Sequence, residues 1–301
     1  IHSYLLFKVA IYPLILAYSL LEKAKKKEKI LFLITSYVTY MPNKNRTFES
    51  ILNEGLTTEP ASIIFDEVID DVEDSKYHKN LKELFYFALN NGPSLFTGIS
   101  VPDSDNPLIM AKIYLTKWCN KYIRDRNNPA LKKPLKTFGE KDAALTTRVA
   151  ANANIDDQKV LNDYLRGHFL YMSAENMNGS ILEEYLAEVL EPEGWIWCAG
   201  SVYRAVDFCY LGTSPILLQV KNKYNTESSS SSAIRVGTTI RKWNRLNKST
   251  KISGLDSPIP NWKALIEMTE ASKELAAKLT ENSYLAYINE KSTRELWTLD
   301  D

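Results

Sequence analysis

At Trp195 the hydrophobic rhythm of the chain changes, and that change restricts the possible folds more than any other feature. "WIWCAGSVYRAVDFCYLG" and "PILLQVKNKY" are rich in aromatic and β-branched residues, with turn residues between them. They read as strands. If "LGTSP" (211–215) is the loop joining them, Asp207 falls opposite Gln219. Side chains two apart on a strand point the same way, so Gln219 and Lys221 share a face. That register gathers Asp207, Gln219 and Lys221 on one surface, whereas a loop one residue longer or shorter would separate them.

Most of the sequence before Trp195 has helical periodicity. "SIIFDEVIDDVEDS" (62–75), "KNLKELFYFALNNG" (79–92), "NPLIMAKIYLTKWCNKYIRDR" (106–126) and "DDQKVLNDYLRGHFLYMSAENMNG" (156–179) all place apolar residues on one face. Asn-Asn-Gly ends the second of these. "NNPALKKPLKTFGEKD" (127–142) has two prolines, a glycine and no periodicity, and reads as a linker or a basic loop. Helix returns in "SAIRVGTTIRKWNRL" and "NWKALIEMTEASKELAAKL", and "SYLAYI" fits a last strand or a short helix. The expected fold is α/β (α+β): a mixed central β-sheet flanked by helices, with a mainly helical N-terminal region. The boundary falls at 1–140 for that region and 141–301 for the core.

Of the 301 residues, 45% are apolar and 25% charged, ordinary values for a soluble globular protein. Formal net charge is zero, so total charge points to no partner. Cys119, Cys198 and Cys209 have no regular spacing, which argues against a disulfide framework and for a reducing cytoplasm. None of the three histidines stands at zinc-ligand spacing with a cysteine. The chain starts at Ile1, with no methionine before Met41, so its true start is expected to be missing. "YLLFKVAIYPLILAYSLLEKAKKKEK" is interrupted by Lys8 and Pro13, too soon for a membrane span, and lacks a signal-peptide cleavage site. It reads as one or two buried helices with a lysine-rich exposed end.

In "GSILEEYLAEVL", Leu182, Tyr185, Leu186, Val189 and Leu190 share one face. Glu183 lies at the border of that stripe and can reach over the sheet edge, while Glu184 and Glu188 are expected to face away. Singly, Glu183 is a surface acid, Asp207 a turn acid and Lys221 an edge-strand lysine that discourages aggregation. Together they suit phosphodiester hydrolysis, which needs charge stabilised on phosphorus and water activated for in-line attack. Mg²⁺ does both and takes oxygen ligands. Asp207, Glu183, the Gln219 side chain and the Val220 carbonyl could supply them. Lys221 could orient the water or neutralise the phosphate.

From Ser201 to Ile252 the chain carries nine Lys or Arg against two acids. Such local excess dominates DNA binding. Arg241, Lys242 and Arg245 are expected on one helix. The run "NTESSSSSAIR" is a flexible linker on composition alone, but Ser229, Ser230 and Ser231 would let a DNA backbone approach closely. Arg235 is the first candidate for base contact, ahead of Lys223 and Asn225.

Gly179-x3-Glu183, then strand-borne Asp207, then Gln219-x-Lys221 resembles the PD-(D/E)xK nuclease superfamily. The stretch 155–250, above all "SAENMNGSILEEYLAEVLEPEGWIWCAGSVYRAVDFCYLG" and "ILLQVKNKYNTESSSSSAIRVGTTIRKWNRL", is similar to the SinI-type type II restriction endonucleases. The resemblance implies a nuclease core fold, with Asp207 as metal-binding acid, Lys221 as the motif lysine, and Glu183 as helix acid. Gln219 stands where the motif has a carboxylate, and Val206 where it has proline. Also implied are Mg²⁺, direct water attack, and duplex DNA cut at a short palindrome flanked by GG and CC, GGWCC being the form it points to. A palindrome implies a homodimer, and a cognate DNA methyltransferase as genetic rather than physical partner. Two rivals stay open: a repair or recombination nuclease of the same superfamily, and a non-catalytic DNA-binding protein whose site has decayed at Gln219.

Overall fold

The computed structural model describes residues 42–223, 240–248 and 258–293. The apolar segment expected to be helical at 1–40 lies outside the described residues, as do Asn225, Ser229, Ser230, Ser231 and Arg235. Among the described residues, no helix is long and apolar enough to cross a membrane.

The N-terminal part is helical. It consists of α1 (Phe48–Asn53), α2 (Thr58–Asp70), α3 (His78–Asn91) and α4 (Pro107–Asn127), with a two-stranded antiparallel ribbon of β1 (Asn43–Arg46) and β2 (Ile99–Pro102). Local chemistry sets the ends. Asn106 accepts from the Leu108 and Ile109 amides, and Pro107 occupies the first turn of α4, where its missing N–H costs nothing. Phe65 stacks on Phe85 with centroids 3.9 Å apart, and Phe96 meets Trp118 edge-on. These rings join a single core that runs on through the sheet to Tyr284.

Two further helices precede the sheet. α5 (Ala143–Ala153), a segment with no reading in the sequence, begins at an Asp142 cap and ends at Asn154 in the left-handed region, φ 53°. α6 (Gln158–Leu190) has 33 residues, about 50 Å of helix. The helix expected to open near Gly179 is therefore the second half of a longer one. Nothing lies within 4 Å of where a Gly179 Cβ would stand, so this residue marks no break or close contact.

The main sheet has the order β3-β4-β5-β6-β7: β3 (Trp195–Trp197), β4 (Phe208–Tyr210), β5 (Ile216–Lys223), β6 (Ile240–Asn247) and β7 (Ile259–Pro260). Pairing is antiparallel except between β5 and β6, which are parallel. Thus the sheet is mixed and flanked by helices, as expected. The β4–β5 register sets Phe208 against Leu218 and Tyr210 against Ile216, which is the register of a five-residue loop.

Two expectations are corrected, and the alternative left open for "SYLAYI" is decided. "IRKWNRL" is strand β6, not helix: it is paired to β5 along its length, and a ladder on one side with helices packed over it overrides a period-three apolar pattern. The helix read over 261–279 is two, α7 (Trp262–Met268) and α8 (Lys273–Lys278). Glu270 takes φ 50° between them, and Ser272 caps α8 by accepting from the Leu275 amide. "SYLAYI" belongs to helix α9 (Glu281–Lys291).

The helical part is bolted to the sheet part by buried polar contacts. Trp118 Nε1 donates to the Val202 carbonyl at 3.0 Å, and the Tyr203 hydroxyl donates to the Leu84 carbonyl. Gly200, at φ 71°, lies so near α4 that a Cβ there would come 2.5 Å from the Lys121 carbonyl oxygen. Only glycine meets both demands.

Candidate active site

Asp207 sits one residue before β4, at the end of a compact turn in which Ser201 and Ala205 take φ of 51° and 57°. Left-handed backbone in two non-glycine residues is uncommon and costs about 1 kcal/mol or more each. The main chain of Asp207 is bonded on both sides: its N–H donates to the Leu218 carbonyl and its carbonyl accepts from Cys198 N–H, both at 2.8 Å. Its side-chain Oδ2 accepts from the Val220 amide at 2.7 Å. The carboxylate is therefore anchored to β5 between Gln219 and Lys221.

Gln219 is buried, at 2% exposure, and Lys221 is exposed. Across the parallel ladder Lys242 lies beside Gln219 and Asn244 beside Lys221, on the same face. Val220 points its side chain to the other face and is buried.

Glu183 arrives from α6. Trp197, the last residue of β3, donates its indole N–H to Glu183 Oε2 at 3.1 Å. Burial, then repulsion from Asp207, pushes the Glu183 carboxyl up to about 8, with the Trp197 bond and Lys221 pulling the other way. Burial also pushes Asp207 up to about 6, opposed by the Val220 amide and by Lys221. Asp125 of α4 adds to the repulsion on Glu183. Asp207, Glu183 and Lys221 thus interact electrostatically over the central strands β4 and β5, with Gln219 on the same strand face as Lys221.

Of the two neighbouring acids expected to face away, Glu188 does and Glu184 does not. Glu184 does not face solvent: it is buried and accepts from the Ala130 amide at 2.5 Å. The segment read as linker therefore supplies a turn, Ala130–Lys132, with Ala130 and Leu131 buried over α6. Glu188 is exposed and pairs with Lys291 at 3.6 Å.

The basic residues separate. Arg245, read as a helical DNA contact, is turned inward from β6. It pairs with Glu281, donates Nε–H to Asn222 Oδ1 at 2.8 Å, and lies 5.0 Å from the Tyr284 ring centroid. It is 7% exposed, so it is a core cation and not a surface one. Arg241 is exposed on β6 and donates to the Met268 carbonyl at 3.1 Å. Lys242 is half-buried. Lys223 is exposed at the end of β5 and pairs with Glu175 of α6 at 3.1 Å.

Trp197 carried no signal in the sequence beyond its place in "WIW". What it touches depends on α6 crossing the end of β3, and residue spacing does not encode that crossing. Asp125 was equally unmarked, because it comes from a helix more than fifty residues before Glu183.

The family model for the SinI restriction endonuclease matches residues 61–290, which includes every described element of this site. The chain belongs to the SinI restriction endonuclease family. It is 37% identical over 172 residues to the type II restriction enzyme SinI of Salmonella infantis, a match covering 48% of this chain and 75% of that one. It is 58% identical over 81 residues to the type II restriction enzyme Eco47I of Escherichia coli, covering 26% of this chain and 35% of that one. As a member of the SinI family the chain is a type II restriction endonuclease, a site-specific deoxyribonuclease whose activity requires it to bind DNA.

Proposed function

We propose that this SinI-family chain hydrolyses duplex DNA at a short palindrome, and that the reaction takes place where Asp207, Glu183, Gln219 and Lys221 converge. The observation that carries the reading is the anchoring of Asp207 by the Val220 amide at 2.7 Å, next to Lys221 and within the field of Glu183.

The donor set fits a hard divalent cation. Two carboxylates raised by burial, Glu183 also by the charge of Asp207, are the groups that such an ion neutralises, and all the candidate donors are oxygens. We assign Mg²⁺ to Asp207, Glu183, the Gln219 side-chain oxygen and the Val220 carbonyl. When bound, it would supply charge stabilisation on phosphorus and acidify water. Lys221 holds the attacking water or the phosphate by a charge-assisted hydrogen bond. With the ion bound, Glu183 and Asp207 would be held in their charged forms; water would lose a proton and attack phosphorus in line, the P–O bond opposite would break, and the leaving oxygen would take up a proton, with no covalent intermediate.

Gln219 in the motif's acid position lowers the negative charge of the site by one, and Glu183 restores it. Lys223 and Lys242, on the strand face of Gln219 and Lys221, are the candidate contacts to the DNA backbone, while Arg241 leaves β6 on the opposite face; Asn225, the serines 229–231 and Arg235 are candidate contacts from outside the described residues. Residues 1–140 embrace DNA or form the dimer contact, and 141–301 carry the chemistry. A two-fold dimer matches a palindrome such as GGWCC, and a methyltransferase of the same specificity protects the host.

The test is digestion of a sequenced plasmid by the full chain with Mg²⁺, followed by mapping of the ends. Discrete fragments are expected, with GGWCC spanning every mapped cut junction, and Asp207→Ala should abolish them. A smear would favour a nuclease that reads DNA shape. Binding without any cleavage would make Gln219 the sign of a decayed site.

A further inference from the structure

Glu183 belongs to a closed circuit of side chains that spans three elements. Its Oε2 accepts from Trp197 Nε1 at 3.1 Å. The guanidinium of Arg126, near the end of α4, lies 5.3 Å from the centroid of the Trp197 ring. Arg126 then grips Glu191 with two hydrogen bonds of 2.5 and 2.9 Å. Glu191 is the residue directly after α6, the helix that carries Glu183. The circuit thus begins and ends on one helix, and it passes through β3 and α4.

The way Trp197 spends its indole N–H is informative. Trp118 and Trp243 donate to backbone carbonyls, of Val202 and Asn261, and Trp262 donates to Glu281 Oε2 at 2.7 Å. Any of these gives a buried tryptophan the partner it needs. Trp197 is also buried, and what sets it apart is that its acceptor is the carboxylate at the candidate metal site. A cation over an indole face is attracted to its π-electrons, and the same positive charge draws electron density from the ring and makes the N–H a stronger donor. The bidentate Glu191 grip fixes the plane of the guanidinium, which a lysine could not do.

We propose that Trp197 and Arg126 are positioning residues for Glu183: Trp197 aims its carboxylate, and Arg126, held by Glu191, holds the indole in place. This inference rests on the reading of Glu183 as a metal ligand under Proposed function. It gives the N-terminal helix α4 a part in the nuclease site without requiring it to touch DNA or metal. Outer partners of this kind typically change metal affinity by about 10–100-fold.

The test reads Mg²⁺ binding by the full chain without DNA, as the rise in melting temperature along a Mg²⁺ titration. Trp197→Phe keeps the ring and removes the donor. It should weaken apparent Mg²⁺ affinity by about 10-fold or more. Arg126→Gln should weaken it less. The double variant should bind no worse than Trp197→Phe alone, because both changes break one circuit. Full Mg²⁺ affinity in Trp197→Phe, or additive losses in the double variant, would overturn the proposal. If Trp197→Phe does not fold, Arg126→Gln alone carries the test, and unchanged affinity there overturns it. Glu183→Gln separates the two readings. If it leaves Mg²⁺ binding intact, the assignment of Glu183 as a ligand fails. If it weakens binding while Trp197→Phe does not, only the positioning role fails.

Discussion

Two half-buried acids, one repelled by the other's charge, make the pH response of this molecule predictable in sign. In the unfolded chain Asp207 and Glu183 ionise near their ordinary values of 3.8 and 4.5, but in the folded protein they resist until about 6 and about 8. A raised carboxyl pKa means that the fold favours the protonated form, so its stabilising contribution is complete at acid pH and disappears as pH climbs through the folded values. The melting temperature of the metal-free protein should therefore fall between pH 5 and pH 8.5, in two overlapping steps that belong to the pair. Glu183→Gln should remove the upper step, and added Mg²⁺ should reverse the loss at pH 8. Flat melting temperatures across this range would contradict the pairing. At this scale the sequence was informative. The five-residue loop "LGTSP" dictated which residues oppose each other, and the observed register agrees. Glu184 was misjudged because the turn that buries it, Ala130–Lys132, lies more than fifty residues upstream and left no trace in the helix pattern.

At the scale of elements, strand β6 explains both a misreading and a source of stability. Ile240, Trp243 and Leu246 repeat every third residue, which mimics one face of a helix. In fact both faces of the strand are covered, so its buried residues include Arg245 as well as the apolar ones. Arg245→Ala would leave Glu281 without its cation and Tyr284 without the guanidinium over its ring. We expect a loss of about 3 kcal/mol in urea unfolding with cleavage specificity unchanged, whereas a DNA contact would show the reverse. Helix α6 offers the opposite kind of test. Gly179 lies inside it with open space around its Cα, so Gly179→Ala should stabilise the protein by about 0.5–1 kcal/mol, measured in the same assay. The periodicity of α2, α3 and α4 was plain in the sequence because each packs one apolar stripe. The break between α7 and α8 was hidden because Ser272 can continue a helix or cap one, and tertiary packing decides which.

For the whole molecule, the decisive feature is one core that continues from Phe48 to Tyr284. Residues 1–140 and 141–301 divide the work in the proposed function, but between them no apolar boundary separates the described residues. Chemical unfolding should therefore follow a single transition by fluorescence and by circular dichroism alike. Gly200 is the sharpest probe of that joint. Gly200→Ala adds a methyl group where the Lys121 carbonyl leaves only 2.5 Å, on a backbone that already has positive φ. The cost should be about 1–3 kcal/mol, felt by both probes together. Non-coincident transitions would show that the two parts melt separately. None of this jointing was readable beforehand, since Gly200 and Lys121 are far apart in the chain and neither belongs to a motif.

The shared core also shapes what a genetic screen would return. Bacteria surviving a toxic, unprotected copy of this gene would carry lesions scattered through the helices between Phe48 and Leu131 as often as around Asp207 and Lys221. Most would be folding failures in segments remote from any phosphate, and a map of inactive alleles would outline the hydrophobic interior before it outlined the nuclease.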